Sequence, residues 1–576
     1  MASGVCQPLM IVQREMNPIP SDIDSSPGLH LVARVGLVAG PLLATAFYFL
    51  LPQFDPALPQ AAAATAALAA LMAVWWMTEA IPLEATALLP LVLLPLLGVY
   101  STPLGVGDVV QVRPLKLSAK VVSLEDKRAT VEWKLPGGTQ RETLPVSDLA
   151  KEPALKRAAA SYADPAIYLF LGGFLIALAI EKWGLHRRLA LLTILAVGTQ
   201  PTRLVGGFIL ATGLISMWIS NTATTVMMLP IGLSVIALLQ TRLDEAGAGS
   251  DKTAGANFAT SLLLGLAYSA SIGGFATLVG TPPNVFFASF MRGRGIEIDF
   301  GRWLLFAGPV SLVYLGICWW VLTHWLYPIR LKEIPGGREL IREELHKLGR
   351  VTRGEWVVLT VFLLTAGMWI LREPLAKWPE FAAQFPSIHS LDDPLVAMMG
   401  AIVLFLIPID WAQGQFALDW KTATRVPWGV LLLFGGGMSL AVAIGDSGLA
   451  NWIGQQVSVL GNVPPLVQIL FIVTLIVFTG ELTSNLAAVV AMLPILFEIA
   501  VGLKIDPMLL CVPAVMAASC GFMLPVATPP NAIVFGAGHI RMRQMIRAGW
   551  WLDLVAIVLI PLATYSLGKW ALGIKF

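Results

Sequence analysis

The chain alternates between long apolar runs and short polar stretches. Uninterrupted runs lie at about 31–52, 61–80, 83–100, 165–181, 303–327, 355–371, 393–409, 425–445 and 549–573. Roughly 20 apolar residues cross a hydrocarbon core as helix, so each run predicts a membrane helix. Four further runs are interrupted. Those at 203–240 and 463–503 are cut by Ser-Asn near their midpoints, and those at 258–291 and 508–540 by Thr-Pro-Pro-Asn. A helix can be broken inside a bilayer only where the freed backbone groups face protein or a watery cavity. The breaks are therefore where chemistry is expected.

The breaks occur twice in one order. Phe170-Leu-Gly-Gly173 parallels Phe434-Gly-Gly-Gly437, and Ser220-Asn221 with Leu229-Pro230 parallels Ser484-Asn485 with Leu493-Pro494, all at an offset of 264. Thr281-Pro-Pro-Asn284 parallels Thr528-Pro-Pro-Asn531 at an offset of 247, the difference lying in the polar loop at 241–257. Paired broken helices in two halves of one chain point to a transporter binding site. With the Ser-Asn segments as re-entrant hairpins and the Thr-Pro-Pro-Asn segments as spans, the expected fold is an all-α polytopic membrane protein. It has about 11 transmembrane helices plus two hairpins. Basic residues cluster in the loops this count places inside, such as Arg187, Arg188 and Arg203, Arg338 to Arg353, and Arg541 to Arg547. Arg292, Arg294 and Arg302 run against the pattern. The two hairpins then enter from opposite sides, and the repeats are inverted.

Residues 104–152 differ. Val109-Val-Gln-Val112, Lys120 to Leu124 and Ala129 to Trp133 alternate as strands do, with turn signals at Glu125-Asp126 and Pro136-Gly-Gly138. A small β-rich, SH3-like insert is expected, placed outside by the span count. Its 10 Lys/Arg and 7 Asp/Glu between Asp108 and Arg157 read as a solvated surface. The expected domains are a cytoplasmic tail at 1–30, N-terminal scaffold helices at 31–100, this insert, and a first repeat at 160–327. A cytoplasmic linker at 328–354 and a second repeat at 355–576 follow.

Composition agrees with the pattern. Of 576 residues 56% are hydrophobic and 13% charged, and mean hydropathy is +0.75. A water-soluble surface could not hide that much apolar side chain. The net charge of +2 gives no basic field for nucleic acid. Cys6, Cys318, Cys511 and Cys520 read as small apolar residues, and the six histidines form no metal-spaced pair. No catalytic dyad is apparent, so an enzyme is not expected. A channel would need a continuous polar pore or charged ring, and none is apparent.

The chemistry gathers at the breaks. A helix starting near Asn221 or Thr222, capped by Ser220 or Asn221, would turn free N–H groups and a partial positive charge toward an anion. Ser216 lies one turn before Ser220 on the same face, and such hydroxyls with freed carbonyls suit a hard cation such as Na⁺. Thr-Pro-Pro forbids continuous helix and frees carbonyls on one side and donors on the other. Glu481 is a carboxylate deep in an apolar segment. Two readings stay open for it: a group in a cation or proton site, or a carboxylate facing water at the hairpin mouth. Glu79 and Glu84, which flank Pro82, read as helix-end residues near an interface.

These four motifs, Ser220-Asn221-Thr222, Ser484-Asn485, Val279-Gly-Thr-Pro-Pro-Asn284 and Leu524-Pro-Val-Ala-Thr-Pro-Pro-Asn531, resemble those of the divalent anion/sodium symporter family. The resemblance covers the chain outside the tail and insert. It implies an elevator-type transporter, usually a homodimer, in the plasma membrane (the inner membrane in bacteria). Residues 182–197 and 446–460 would be arm helices beside the hairpins. By the same resemblance Ser220, Asn221, Thr222, Ser484, Asn485, Thr528 and Pro529 bind substrate carboxylates. One Na⁺ site uses Ser216, Ser220, Asn221 and carbonyls near Gly273 and Gly274. The other uses Ser484, Asn485, Ala527 and carbonyls near Thr479. Leu486 stands where the second motif has threonine, a departure that removes a hydroxyl. The implied function is Na⁺-coupled symport of C4–C6 dicarboxylates such as succinate, malate or 2-oxoglutarate. Sodium-independent exchange and sulfate-type anion transport are the alternatives.

Overall fold

The computed structural model describes residues 27–100, 109–112, 117–125, 128–135, 138–146, 149–151, 153–198, 200–245, 252–331, 336–457 and 464–575. The expected tail at 1–30 lies outside them except for its last residues, which already belong to the first helix, Pro27–Phe54.

The same order of elements occurs twice. In the first half a long helix (Pro165–Lys182) is followed by a short arm (Leu185–Val197), a hairpin (Pro201–Ser216 and Asn221–Glu245), a broken helix (Lys252–Gly274 and Pro282–Arg292) and a long helix from Phe300. In the second half the order is Trp428–Asp446, Leu449–Val457, Pro465–Gly480 with Asn485–Gly502, Met508–Ala518 with Pro529–Gly536, and the closing helix Met542–Leu572. Among the described residues nine helices are long and apolar enough to cross a membrane. Two of the nine are the second limbs of the hairpins; the other seven, with the two broken helices and two shorter ones, correspond to the expected eleven spans. Outward-facing Leu42, Phe471, Leu562 and Trp570 are more than half exposed, as lipid-facing side chains are.

Local chemistry sets the ends. Asp164 accepts the Ala166 N–H at 2.9 Å ahead of Pro165, and Asp299 accepts the Arg302 N–H at 2.9 Å. Thr352 and Glu355 form a reciprocal capping box at the start of Arg353–Lys377. The structure differs from the apolar pattern at two runs. The run at 83–100 is two short helices, Leu83–Ala87 and Leu89–Leu96, because Pro90 has no N–H to carry the ladder across Leu88. The run at 393–409 yields only a 14-residue helix, Asp393–Leu406, which ends where the chain turns into the strand Pro408–Asp410. A Cβ on Gly172 would lie 2.6 Å from the Ala397 backbone, so this short helix packs directly on Pro165–Lys182.

The insert is an antiparallel sheet of β1 (Val109–Val112), β2 (Leu117–Glu125), β3 (Arg128–Leu135), β4 (Gly138–Pro145) and β5 (Leu149–Lys151), in the order β4-β3-β2-β1-β5. Val110, Val112, Ala119, Val121, Ala129, Val131 and Trp133 form its own small core, as the two-residue period of a strand requires.

Candidate functional site

Each hairpin turns at a Ser-Asn pair. In the first, the second limb begins at Asn221, and Ser220 Oγ accepts the Ala223 N–H at 3.3 Å, capping the new helix. In the second, Ser484 is in cap position but its side chain makes no capping bond, so the expected symmetry fails there. Ser220 and Thr222 are exposed, and Asn221, Ser484 and Asn485 are half-buried. Leu486 is 6% exposed, packed in the core while its counterpart Thr222 faces out. The hydroxyl missing at 486 is replaced by apolar packing.

Behind the first tip, oxygens converge. Ser216 Oγ lies 2.7 Å from Asn221 Oδ1 and 2.7 Å from the Ala270 carbonyl. A hydroxyl has one proton, so it can serve only one of these acceptors at a time. A Cβ on Gly274 would meet Asn221 Oδ1 at 2.4 Å, and one on Gly280 would meet the Gly274 and Met217 carbonyls at 2.3 and 2.8 Å. Only glycine lets the tip and the break approach so closely. The Gly273 carbonyl, by contrast, already accepts the Ala276 N–H at 3.0 Å. An oxygen-rich, donor-poor pocket of this kind fits a small hard cation.

The breaks are closed by their asparagines. Asn284 donates Nδ2–H to the carbonyls of Phe275 (3.1 Å) and Thr277 (2.7 Å). Asn531 donates to those of Gly521 and Leu524, both at 3.0 Å. These carbonyls lie in the interruption beyond the helix ends; Phe275 O also accepts the Trp303 indole N–H at 3.0 Å and Leu524 O the Ala527 N–H at 3.2 Å. Thr528, 3% exposed, caps the last segment by accepting the Asn531 N–H at 3.4 Å, while Pro529 is exposed. Among the described residues no hydrogen-bond donor meets either buried Asn Oδ1 atom or that of Asn485. The sequence signal for Asn284 and Asn531 is their fixed place after Thr-Pro-Pro in both breaks.

Around the second tip, the Thr479 carbonyl accepts from Leu482 N–H (3.0 Å) and from the Thr483 hydroxyl (3.1 Å). A Cβ on Gly521 would lie 3.1 Å from the Ala527 Cβ and 3.3 Å from the Gly480 carbonyl, so tip and break meet here too. Glu481, 2% exposed, does not face water. Its Oε1 accepts the N–H groups of Phe522 (2.6 Å) and Met523 (2.9 Å), and its Oε2 that of Leu524 (2.9 Å). Of the other acidic pair, Glu79 ends the helix Gln60–Thr78 in a left-handed conformation and Glu84 lies in the first turn of Leu83–Ala87, both exposed.

The repeats interlock at the breaks. Pro282–Arg292 packs on the second hairpin's limb Asn485–Gly502, and Pro529–Gly536 packs on the first hairpin's limb Asn221–Glu245. A cavity of about 540 Å³ lies beside the second hairpin, lined by Met77, Phe471, Leu475, Phe478 and Leu482 with the threonines 474, 479 and 483. It has no cationic group. The helix starts at the two tips are the electropositive features of the site.

Comparison with known proteins agrees with this architecture. The chain is 39% identical over 544 residues to the sodium-dependent dicarboxylate transporter SdcS of Staphylococcus saprophyticus, covering 94% of this chain and 92% of that protein. It is 37% identical to SdcS of Staphylococcus aureus, with the same coverage. Among solved structures it resembles MtrF of Neisseria gonorrhoeae, with a TM-score of 0.50 and 13% identity over 86% of this chain and 98% of that one, a likeness of fold. The family model described as the sodium:sulfate symporter transmembrane region matches residues 34–574. The chain, a multi-pass membrane protein and no enzyme, belongs to that family of divalent anion/sodium symporters.

Proposed function

We propose that this protein is a secondary transporter that couples Na⁺ entry to uptake of a small dicarboxylate. The observation that carries the reading is the pair of hairpin tips, each starting a helix at Asn221 or Asn485 beside clustered side-chain oxygens, with Asn221 Oδ1 sharing the single Ser216 proton and Asn485 Oδ1 meeting no donor among the described residues. The naming of relatives 37–39% identical as sodium-dependent dicarboxylate transporters supports it.

The electrostatics favour symport over dipole-driven exchange. Each helix start supplies about half an elementary charge, so two neutralise about half of a dianion. The remaining charge is costly in a low-dielectric site unless cations accompany it. Na⁺ held among Ser216, Ser220, Asn221 and the Gly274 carbonyl, and among Ser484, Asn485, Ala527 and a carbonyl near Thr479, supplies the balancing charge. The carboxylates then bind at Ser220, Asn221 and Thr222 and at Ser484, Asn485, Thr528 and Pro529. A C4 dicarboxylate such as succinate or malate presents two carboxylates to two tips. The repeated hairpins and broken helices move as one body against the remaining helices, in an elevator motion, and the protein works as a homodimer in the plasma membrane.

The test is uptake of labelled succinate into proteoliposomes. An inward Na⁺ gradient is expected to accelerate it, and Asn221→Ala and Asn485→Ala each to remove most of it without loss of protein. Uptake indifferent to Na⁺ but dependent on internal dianion would overturn symport in favour of exchange.

A further inference from the structure

The short helix Asp393–Leu406 ends in a hairpin that lies apart from the two tips and breaks. Its 14 residues rise about 21 Å, against roughly 30 Å of hydrocarbon. The strands Pro408–Asp410 and Gln415–Phe416 follow, with Pro408 opposite Phe416 and Asp410 opposite Gln415. Three strand residues cover about 10 Å, which is the length the helix lacks. The turn between the strands is set locally. Asp410 Oδ1 accepts the N–H groups of Ala412 (2.8 Å) and Gln413 (3.3 Å), and Gly414 takes a left-handed φ of +61°.

The backbone around the stem is paired with protein, as it must be close to hydrocarbon. The chain leaving the hairpin returns along the helix end, where Leu418 N–H meets the Leu404 carbonyl and Ala417 N–H that of Ile407, both at 3.0 Å. Side chains of neighbouring elements meet further carbonyls. Lys182 Nζ donates to Phe416 O at 2.9 Å, the Trp183 indole N–H to Ala417 O at 2.8 Å, and Arg353 to Ile409 O at 3.3 Å. The stem is therefore tied to the body of the protein, while residues 411–415 are exposed.

The apolar outer surface of the helix continues into this hairpin. Leu395, Met399, Ile402 and Leu406 recur at spacings of three and four and are all exposed, so one stripe of the helix faces lipid. Beyond its end stand Trp411 in the turn, 75% exposed, and Trp420, 69% exposed. Trp411 meets the Phe416 ring edge-on at 6.4 Å and Trp420 tilts against Phe405 at 6.3 Å, so each indole is braced by a neighbouring ring. An indole joins a large apolar body to one N–H donor, a combination matched to the boundary between acyl chains and headgroups. We propose that the hairpin Pro408–Phe416 is a membrane-interface anchor, with Trp411 and Trp420 seated in the headgroup layer of the bilayer. The anchor sets the depth of Asp393–Leu406, and through Lys182 and Trp183 that of the chain entering the first arm.

The test uses the full chain in phosphatidylcholine nanodiscs, carrying Cys6→Ser so that a thiol-reactive fluorophore attaches to an introduced cysteine; Cys318, Cys511 and Cys520 are buried. Trp411→Cys places the label in the turn, and Gln413→Cys places it nearby with Trp411 kept. Both labels are expected to be quenched several-fold more by lipids spin-labelled at the headgroup or upper acyl chain than by aqueous iodide or by lipids labelled at the chain end. Stronger quenching by iodide would put the hairpin in water. Shielding from every quencher would mean that a second copy of the chain, or another protein, covers it. Strongest quenching from the chain end would place it in hydrocarbon. Each of these three results overturns the proposal, and where the two sites differ Gln413→Cys decides, because it retains Trp411. The measurement reads depth and needs no transport, so it stands or falls apart from the dicarboxylate reading.

Discussion

Ser216 Oγ and Asn221 Oδ1 lie 2.7 Å apart across the first hairpin tip, with the Ala270 carbonyl equally close to the hydroxyl. Three oxygens and one proton make a cluster that is incomplete as a hydrogen-bond network and suited to a cation. Ser216→Ala removes one oxygen and leaves the substrate-facing residues in place. It is expected to raise the Na⁺ concentration for half-maximal uptake by several-fold, corresponding to about 1 kcal/mol. Apparent dicarboxylate affinity at saturating Na⁺ should change little. Uptake measured against Na⁺ checks this, and an unchanged Na⁺ dependence would remove Ser216 from the site.

Asn284 and Asn531 each satisfy two carbonyls at a break. Alanine at either position leaves one acceptor unmet, the Thr277 or the Gly521 carbonyl, at about 1–3 kcal/mol, because the Trp303 indole still donates to Phe275 O and the Ala527 N–H to Leu524 O. Both variants are expected to unfold at lower temperature in detergent than wild type, and to lose transport in proportion. A variant that kept wild-type thermal stability would show that the breaks are held by something else.

Arg188 and Glu355 form a buried ion pair at 2.6 Å, and the guanidinium also donates to the carbonyls of Leu348, Gly349 and Arg350. The pair ties the first arm to the start of Arg353–Lys377. Arg188→Ala strands a buried carboxylate and is expected to cost about 3–5 kcal/mol, whereas replacing both residues by leucine costs less. Thermal unfolding of the single and double variants tests the order.

Lys182 lies 2.7 Å from Asp419, and its hydrogen bond, with that of the Thr422 N–H at 2.8 Å, holds the Asp419 carboxyl below its usual range. A depressed carboxyl contributes stability above the ordinary aspartate range and loses it as pH falls through the folded value. Asp419→Asn is therefore expected to be less stable than wild type at neutral pH. The difference should shrink below about pH 4. Melting temperatures of both proteins across that range measure it.

Much of this was legible in the chain. Apolar run length gave the spans, because backbone polar groups in lipid must pair within their own segment. Proline chemistry placed the breaks at Thr281-Pro-Pro-Asn284 and Thr528-Pro-Pro-Asn531, where the helices do stop at Gly274 and Ala518 and restart at Pro282 and Pro529. The strands of the insert followed from their period of two. The shortness of Asp393–Leu406 was not legible, since its apolar run continues into a strand without a change of composition.

At the site, sequence alone determined which residue types stand at the two tips and that the tips are unequal, with Gly480, Glu481 and Leu486 in the second. The tertiary structure decided what each does. Leu486 turns into the core, and Glu481 reaches across to residues 522–524, about 40 residues away in the chain. Such contacts depend on how helices distant in sequence are packed. Local propensity and hydrophobic pattern carry no term for that, so only the folded chain shows that the buried Glu481 carboxylate finds its donors at residues 522–524.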